Sequence, residues 1–360
     1  MEINYDLFMT QMFAKAAING TPLAGSFELT SRCCLNCKMC YIHRNGNDPD
    51  AIALEKDTSW WLDIARKSQK AGMLILLLTG GEPLLRPDFD EIYLECVKMG
   101  LLVSVNTNGM LIDDEKVRLF AENPPQRLNI TLYGASSETY GELCGNAGAY
   151  DKVMSALRKL RDAGVNVKIN FSMVPYNKKD SSEVYRTGKE LGFAVQPVSY
   201  MFPPVRSQGE AVRMTAEEAA EAQFEWQKNH LGNDDFRKYI ENFKNNRNFG
   251  EVSYECGEKI SCRAGLSTFW VTWDGKMTPC GMMTEPSVEI SDFDAAWKEI
   301  RAQRENIMLP AECSACEYRK YCDVCAAVSK AETGKFNGVP EYACKKAQEY
   351  YRLCKNFIDH

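Results

Sequence analysis

The sequence predicts an α/β protein built on a partial (β/α)6, TIM-like barrel, with a cysteine-rich segment at its C-terminal end. Three observations predict it. Six short strand-like runs alternate with helical patterns between residues 24 and 199, which is the alternation of parallel βα units. A loop with three closely spaced cysteines follows the first strand, and Gly80-Gly81-Glu82-Pro83 follows the second. Nine of the fifteen cysteines lie from Cys256 onward, so the composition changes sharply there.

Each element has its own warrant. Residues 1–20 read as a short amphipathic helix that stops at Asn19-Gly20. Residues 24–30 read as a strand that runs into the cysteine loop. Residues 59–70 form a helix, capped by Thr58 or Ser59 and stopped at Gly72. Residues 73–79 are a continuous apolar run, as suits a buried parallel strand. Helices over 89–99, 113–122, 150–163 and 181–191 then alternate with strands over 101–106, 127–133, 165–174 and 193–199. Gly100, Pro124-Pro125, Gly164 and Gly192 end the helices in turn.

Right-handed crossovers curl such units into a barrel or a three-quarter barrel. A doubly wound open sheet also fits the alternation. The cysteine loop and the Gly-Gly-Glu-Pro turn favour the barrel. Both sit at the carboxyl ends of strands, where barrel active sites are built. Pro203-Pro204 closes this unit. Residues 215–246 are polar and helical, opening on Thr215-Ala216-Glu217-Glu218, a capping-box pattern. The division expected is 1–205 for the core, 206–250 for a helical bridge and 251–360 for the cysteine-rich part.

Composition narrows the function. The net charge of −6 and pI near 5.4, with scattered Lys and Arg, argue against a nucleic-acid partner. No apolar run is long enough to span a membrane. The N-terminus has neither a basic nor an apolar signal region, so a cytoplasmic protein is expected. In a reducing cytosol fifteen cysteines read as metal or cluster ligands rather than disulfides. Many thiolate–iron sites would suit an anaerobic cell.

Cys33, Cys37 and Cys40 are spaced CxxxCxxC. Three thiolates on one loop can hold three irons of a [4Fe–4S] cube and leave the fourth open to a second molecule. A zinc knuckle with His43 as fourth ligand fits the loop alone. With Thr79-Gly80-Gly81-Glu82-Pro83 one βα unit later, the pattern resembles the radical S-adenosylmethionine (SAM) superfamily over residues 24–200. The two glycines let a ligand approach the backbone, and Glu82 can accept from an ammonium group. The resemblance implies that the open iron takes the amino and carboxylate groups of SAM. It implies reductive cleavage to methionine and a 5′-deoxyadenosyl radical, which removes a hydrogen from the substrate. It places Thr79, Gly80, Gly81 and Glu82 at the methionine part of SAM. It also places Asn108, Thr131 and Asn170 at strand ends near SAM, and Tyr41 near the adenine. Tyr133 stands where family members often carry Asp in a Ser-x-Asp pattern.

The C-terminal cysteines admit a zinc-ribbon reading. Cys262, Gly275 and Cys280, then CxxCx5C, Cys325 and Cys344, instead resemble the SPASM domain, an iron–sulfur module. That resemblance implies two auxiliary [4Fe–4S] clusters, three in all. Cys256, Cys262, Cys280 and Cys325 would hold the first, and Cys313, Cys316, Cys322 and Cys344 the second. Cys322 and Cys325 are one residue closer than the family pattern has them. Cys34, Cys96, Cys144 and Cys354 remain, and read as small buried hydrophobes.

The expected activity is a radical SAM oxidoreductase acting on a peptide or small protein, giving a thioether or carbon–carbon crosslink. Peptide maturases of this architecture carry such modifications on ribosomally made peptides. An external donor, a flavodoxin or ferredoxin, would supply the electron. The alternatives are a sulfatase-type formylglycine maturase and a small-molecule dehydrogenase acting on a sugar or aminocyclitol. The formylglycine class carries Asp after the cysteine matching Cys280, where this chain has Gly281. The sequence identifies no general base; an acid or a tyrosine near the barrel mouth, such as Tyr133 or Tyr200, could move a proton.

Overall fold

A computed structural model describes residues 5–42, 44–207, 210–245, 259–260 and 262–359. His43 and Cys256 lie outside the described residues. The chain opens with α1 (Tyr5–Asn19), then β1 (Ala24–Glu28). A short parallel pair, β2 (Arg32–Cys33) and β3 (Arg44–Asn45), brackets the cysteine loop. Next come α2 (Pro49–Leu54), α3 (Thr58–Lys70), β4 (Ile75–Thr79), α4 (Phe89–Lys98) and β5 (Leu102–Thr107). They are followed by α5 (Asp114–Glu122), β6 (Arg127–Thr131), α6 (Ser137–Cys144), α7 (Ala149–Asp162), β7 (Val167–Ser172), α8 (Ser181–Leu191) and β8 (Ala194–Val198).

β1, β4, β5, β6, β7 and β8 pair in parallel in that order, the partial barrel expected. The strands separate two environments. Phe27, Leu76, Leu78, Val105, Leu128 and Ile130 point outward and are fully buried in one core with Trp61, Phe89, Phe120 and Val153 of the covering helices. At roughly 1.5–3 kcal/mol per buried side chain, this face holds the helices on. The opposite face carries Ser26, Ser104, Asn106, Asn129, Thr131 and Asn170, all half-buried. Asn129 Nδ2 donates to Asn106 Oδ1 at 2.8 Å across the β5–β6 register. With Leu77 between Ser26 and Ser104 in the register, this inner face is mixed but mainly polar.

Three local expectations change. Asp57, not Thr58 or Ser59, caps α3: its carboxylate accepts from the Trp60 N–H at 2.8 Å. α1 is not cleanly two-faced, since Phe13 and Ala16 are buried while Leu7, Phe8 and Ile18 are exposed. α2 and α6 were not foreseen; each is shorter than ten residues and too brief to show a period.

Beyond β8, a coil leads to α9 (Ala216–Leu231) and α10 (Asn233–Asn245). The capping box is formed: Thr215 Oγ1 accepts from Glu218 N at 3.1 Å, and Glu218 accepts from Thr215 N at 3.0 Å. β9 (Thr268–Val271), β10 (Lys276–Thr278) and β11 (Val288–Glu289) follow, then α11 (Phe293–Arg304), α12 (Ala326–Thr333) and α13 (Glu341–Asp359). β9 pairs in parallel with β1, and β10 and β11 add antiparallel strands beyond it. The sheet has nine strands among the described residues, in the order β11-β10-β9-β1-β4-β5-β6-β7-β8. The cysteine-rich part thus extends the barrel sheet at its first strand. α13 closes the far side by packing Tyr350 and Cys354 with Ala220 and Phe224 of α9. No helix among the described residues is long and apolar enough to cross a membrane.

Candidate active site

The cysteine loop begins where β1 ends, and five contacts hold its shape. Gly81 N donates to Thr30 O at 2.7 Å, and Glu82 N to Arg32 O at 2.8 Å. Asn36 N and Lys38 N donate to the carbonyls of Cys144 and Leu143, at the end of α6. Arg32 clamps the loop base to Glu55 through two hydrogen bonds of 2.7 and 3.0 Å.

The two glycines serve the loop itself. A side chain at Gly80 would meet Thr30 O at 2.4 Å, and one at Gly81 would meet Arg32 O at 2.3 Å. What approaches these backbones closely is the backbone of residues 30–32, where the sequence reading placed a ligand. Glu82 is likewise engaged within the chain. It is fully buried; Oε1 accepts from Thr107 Oγ1 at 2.8 Å and Leu84 N at 3.0 Å, and Oε2 from Asn108 N at 2.7 Å. It fixes the end of β5 against the end of β4.

Asn108 then reaches the cysteines. Its Nδ2 lies 3.5 Å from Cys33 Sγ and 3.4 Å from Cys34 Sγ. Cys34 is half-exposed, which departs from the buried-hydrophobe expectation, whereas Cys96, Cys144 and Cys354 are buried as expected. A hydrogen bond from Cys33, helped by Asn108, draws the Cys34 thiol down to about 7, and that bond with burial pushes Cys33 up. Cys37 is pushed well up by a hydrogen bond with Cys144 and by burial, and the Tyr133 hydroxyl also bonds to it. Burial beside these thiols raises Tyr133 itself, so its hydroxyl stays protonated and can donate to Cys37. Thr131 and Asn170 are register neighbours on β6 and β7 inside the barrel. Thr79 ends β4, next to Glu28 on β1.

The donor set suits iron. Cys33, Cys34, Cys37, Cys40 and Cys144 bring five sulfurs to the end of one sheet. Among the described residues no three Cys, His, Asp or Glu side chains converge on a single ion. A cubane asks for something different: one thiolate on each of three separate irons.

The sequence reading missed a buried charge pair at the same end of the sheet. Glu28 ends β1 with no exposure. Its Oε2 accepts from Arg206 Nη1 and, at 3.3 Å, from Trp270 Nε1 of β9. Arg206 also donates to the Gly281 carbonyl and, through its backbone, to Tyr41 O at 3.0 Å. Its guanidinium lies 5.4 Å from the centre of the Tyr41 ring. Arg206 therefore ties the segment after Cys40 to the segment after Cys280. Glu28 Oε1 and Arg206 Nε are buried without partners among the described residues. Burial pushes the Glu28 carboxyl up, against the pull of Arg206. The available signal was positional: Glu28 is the last inward residue of a strand in which Ser26 also faces inward.

Seven of the described C-terminal cysteines gather in two places. Cys262, Cys280 and Cys325 pack on one apolar cluster with Ile260, Met283 and Ile307. Burial pushes Cys280 up to about 11, with Cys325 and Cys262 adding to it. Cys322 rises to about 11 by burial, near Cys344, and Cys344 lies near Cys316. Cys313 is buried one turn before Cys316. At Gly281 any side chain would strike the Trp270 ring at 2.8 Å.

Glu82 carries a pH prediction. Burial raises its carboxyl to about 8, against the hydrogen bonds it accepts. A carboxyl raised on folding binds more protons in the folded chain between its two values. Stability from this group therefore falls as pH rises from about 4.5 through about 8. Melting temperatures of wild type and Glu82→Gln at pH 5, 7 and 9 check this. The gap moves in favour of Gln as pH rises; a constant gap contradicts it.

The loop of thiols after the first barrel strand and the glycine turn after the second both fall within one family match. Residues 27–187 match the radical SAM superfamily, and this part of the chain is a radical SAM domain. The chain is therefore an enzyme using SAM and a [4Fe–4S] cluster. It is 28% identical to the AdoMet-dependent heme synthase of Methanosarcina barkeri over 89% of this chain and 95% of that one. It is 27% identical to the PqqA peptide cyclase of Methylocella silvestris over 46% and 43%. In fold it resembles Streptococcus suis SuiB bound to precursor peptide SuiA (TM-score 0.68, 18% identity, 96% and 82% covered). It equally resembles anSMEcpe with bound AdoMet and Cp18Cys peptide (TM-score 0.68, 19% identity, 94% and 98% covered).

Proposed function

We propose that this enzyme cleaves SAM at Cys33, Cys37 and Cys40 and oxidises a peptide side chain to a thioether or carbon–carbon crosslink. When bound, the cluster and SAM supply a 5′-deoxyadenosyl radical able to remove an unactivated hydrogen. The chain supplies placement. Gly80, Gly81 and Glu82 hold the loop in place, and Thr79, Asn108, Thr131, Asn170 and Tyr41 frame the SAM space. Asn108 and Tyr133 donate toward the sulfurs and steady their charge. Cys256, Cys262, Cys280 and Cys325, with Cys313, Cys316, Cys322 and Cys344, are assigned to two auxiliary clusters that take up the substrate's electron. The observation that carries the reading is the Arg206 bridge, which joins the Cys40 and Cys280 segments around one buried carboxylate. A substrate oxidised at the barrel mouth is then close to both.

One observation favours a second reading, a tetrapyrrole substrate. The relatives matched along most of their length are named AdoMet-dependent heme synthases, and the peptide cyclase matches over under half of its own. The test incubates reconstituted enzyme, SAM and reductant with a peptide encoded beside its gene, and separately with an iron tetrapyrrole. Loss of two hydrogens from the peptide is the expected result. A mass change in the tetrapyrrole alone establishes the second reading instead.

A further inference from the structure

Beside α9 and α13 a cavity of about 310 Å3 opens where β7 and β8 end. All six barrel strands are parallel, so this is the same end of the sheet as the cysteine loop. Met173, Phe202 and Tyr200 give the cavity an apolar wall, and Gln223 and Lys346 give it donors. Lys346 is only 7% exposed. A lysine is rarely buried without full pairing, because taking the ammonium out of water is costly. Its partner among the described residues is one oxygen of Asp323 at 3.2 Å. Asp323 is itself 74% exposed on its side chain and free to turn to water. Two ammonium protons of Lys346 are left for the cavity. Gln223 accepts a long 3.4 Å bond from Ser199, and its amide nitrogen has no partner among the described residues.

A dry cation, a spare amide donor and aromatic walls are the chemistry of a carboxylate site. We propose that this cavity binds a carboxylate of the substrate, for a peptide an acidic side chain, and anchors it beside the barrel mouth. The anchoring carboxylate displaces Asp323 from Lys346. This deepens the peptide reading by naming a feature of the substrate. The binding assay needs neither reductant nor SAM, so its failure and the failure of that reading are distinguishable.

Calorimetry on the reconstituted holoenzyme compares acetyl-Ala-Glu-Ala-amide with its Gln isostere. The Glu peptide binds about tenfold tighter, the worth of one charge-assisted hydrogen bond. Lys346→Met abolishes the preference. Asp323→Asn, at an exposed position, removes the competing carboxylate and widens the preference severalfold. Iron content and melting temperature check that each variant is folded and loaded; if Lys346→Met is not, Asp323→Asn decides. Equal binding of the two peptides to wild type, a preference that survives Lys346→Met, or one unchanged by Asp323→Asn overturns the proposal.

Discussion

Gly81→Ala lowers 5′-deoxyadenosine formation by about 100-fold while the chain stays folded. The new methyl carbon would lie 2.3 Å from Arg32 O and 2.6 Å from Ser31 O, both backbone atoms. Backbone cannot swing aside as a side chain does, so residues 31–32 must retreat by about 1 Å to restore contact. Those residues carry Cys33. A displacement of that size at reacting groups costs on the order of 10²-fold in rate. The barrel core lies on the other face of the sheet, so circular dichroism and melting change little. Iron counting and 5′-deoxyadenosine release together check the prediction. A full rate in this variant would mean that the Gly80-Gly81 turn does not set the loop.

Arg206→Ala destabilises the folded chain by about 3–5 kcal/mol at pH 8, the usual cost of stripping one partner from a buried ion pair. Glu28 would remain with no exposure and only Trp270 as donor among the described residues. The carboxyl, already raised by burial, rises further and takes a proton as pH falls. A group whose folded pKa is raised loses stability as pH climbs past its unfolded value. The deficit of Arg206→Ala is therefore larger at pH 8 than at pH 5. Denaturant melts of wild type, Arg206→Ala and Arg206→Ala/Glu28→Gln check this. The double variant recovers much of the loss, because it removes the orphaned charge. No recovery would show that Arg206 acts through Tyr41 and Gly281 alone.

Much of the core was legible because its signals are local. The run at Leu76–Leu78 and the glycine stops mark strands and helices within a few residues of themselves. The three cysteines and the Gly-Gly-Glu turn carry their meaning in spacing. Relations between distant segments were not legible. The pairing of β9 with β1 joins residues 24–27 to 268–271 through strands too short to announce themselves. Glu28 and Arg206 are 178 positions apart, and neither is unusual alone. Cys144 reads only as a small buried hydrophobe, and nothing in the sequence says that it ends α6 against Cys37. The meaning of Gly81 was inverted for a related reason. A glycine announces that something comes close, and the fold decides whether that is ligand or chain.

The central claim is that the loop of Cys33, Cys37 and Cys40 is the SAM-cleaving centre. The measurement is 5′-deoxyadenosine and methionine released anaerobically by reconstituted enzyme with SAM and dithionite, beside a variant with those three cysteines changed to alanine. The account predicts equal amounts of both products from wild type and none from the variant. Product from the triple variant at the wild-type rate, or none from iron-loaded wild type, would contradict it.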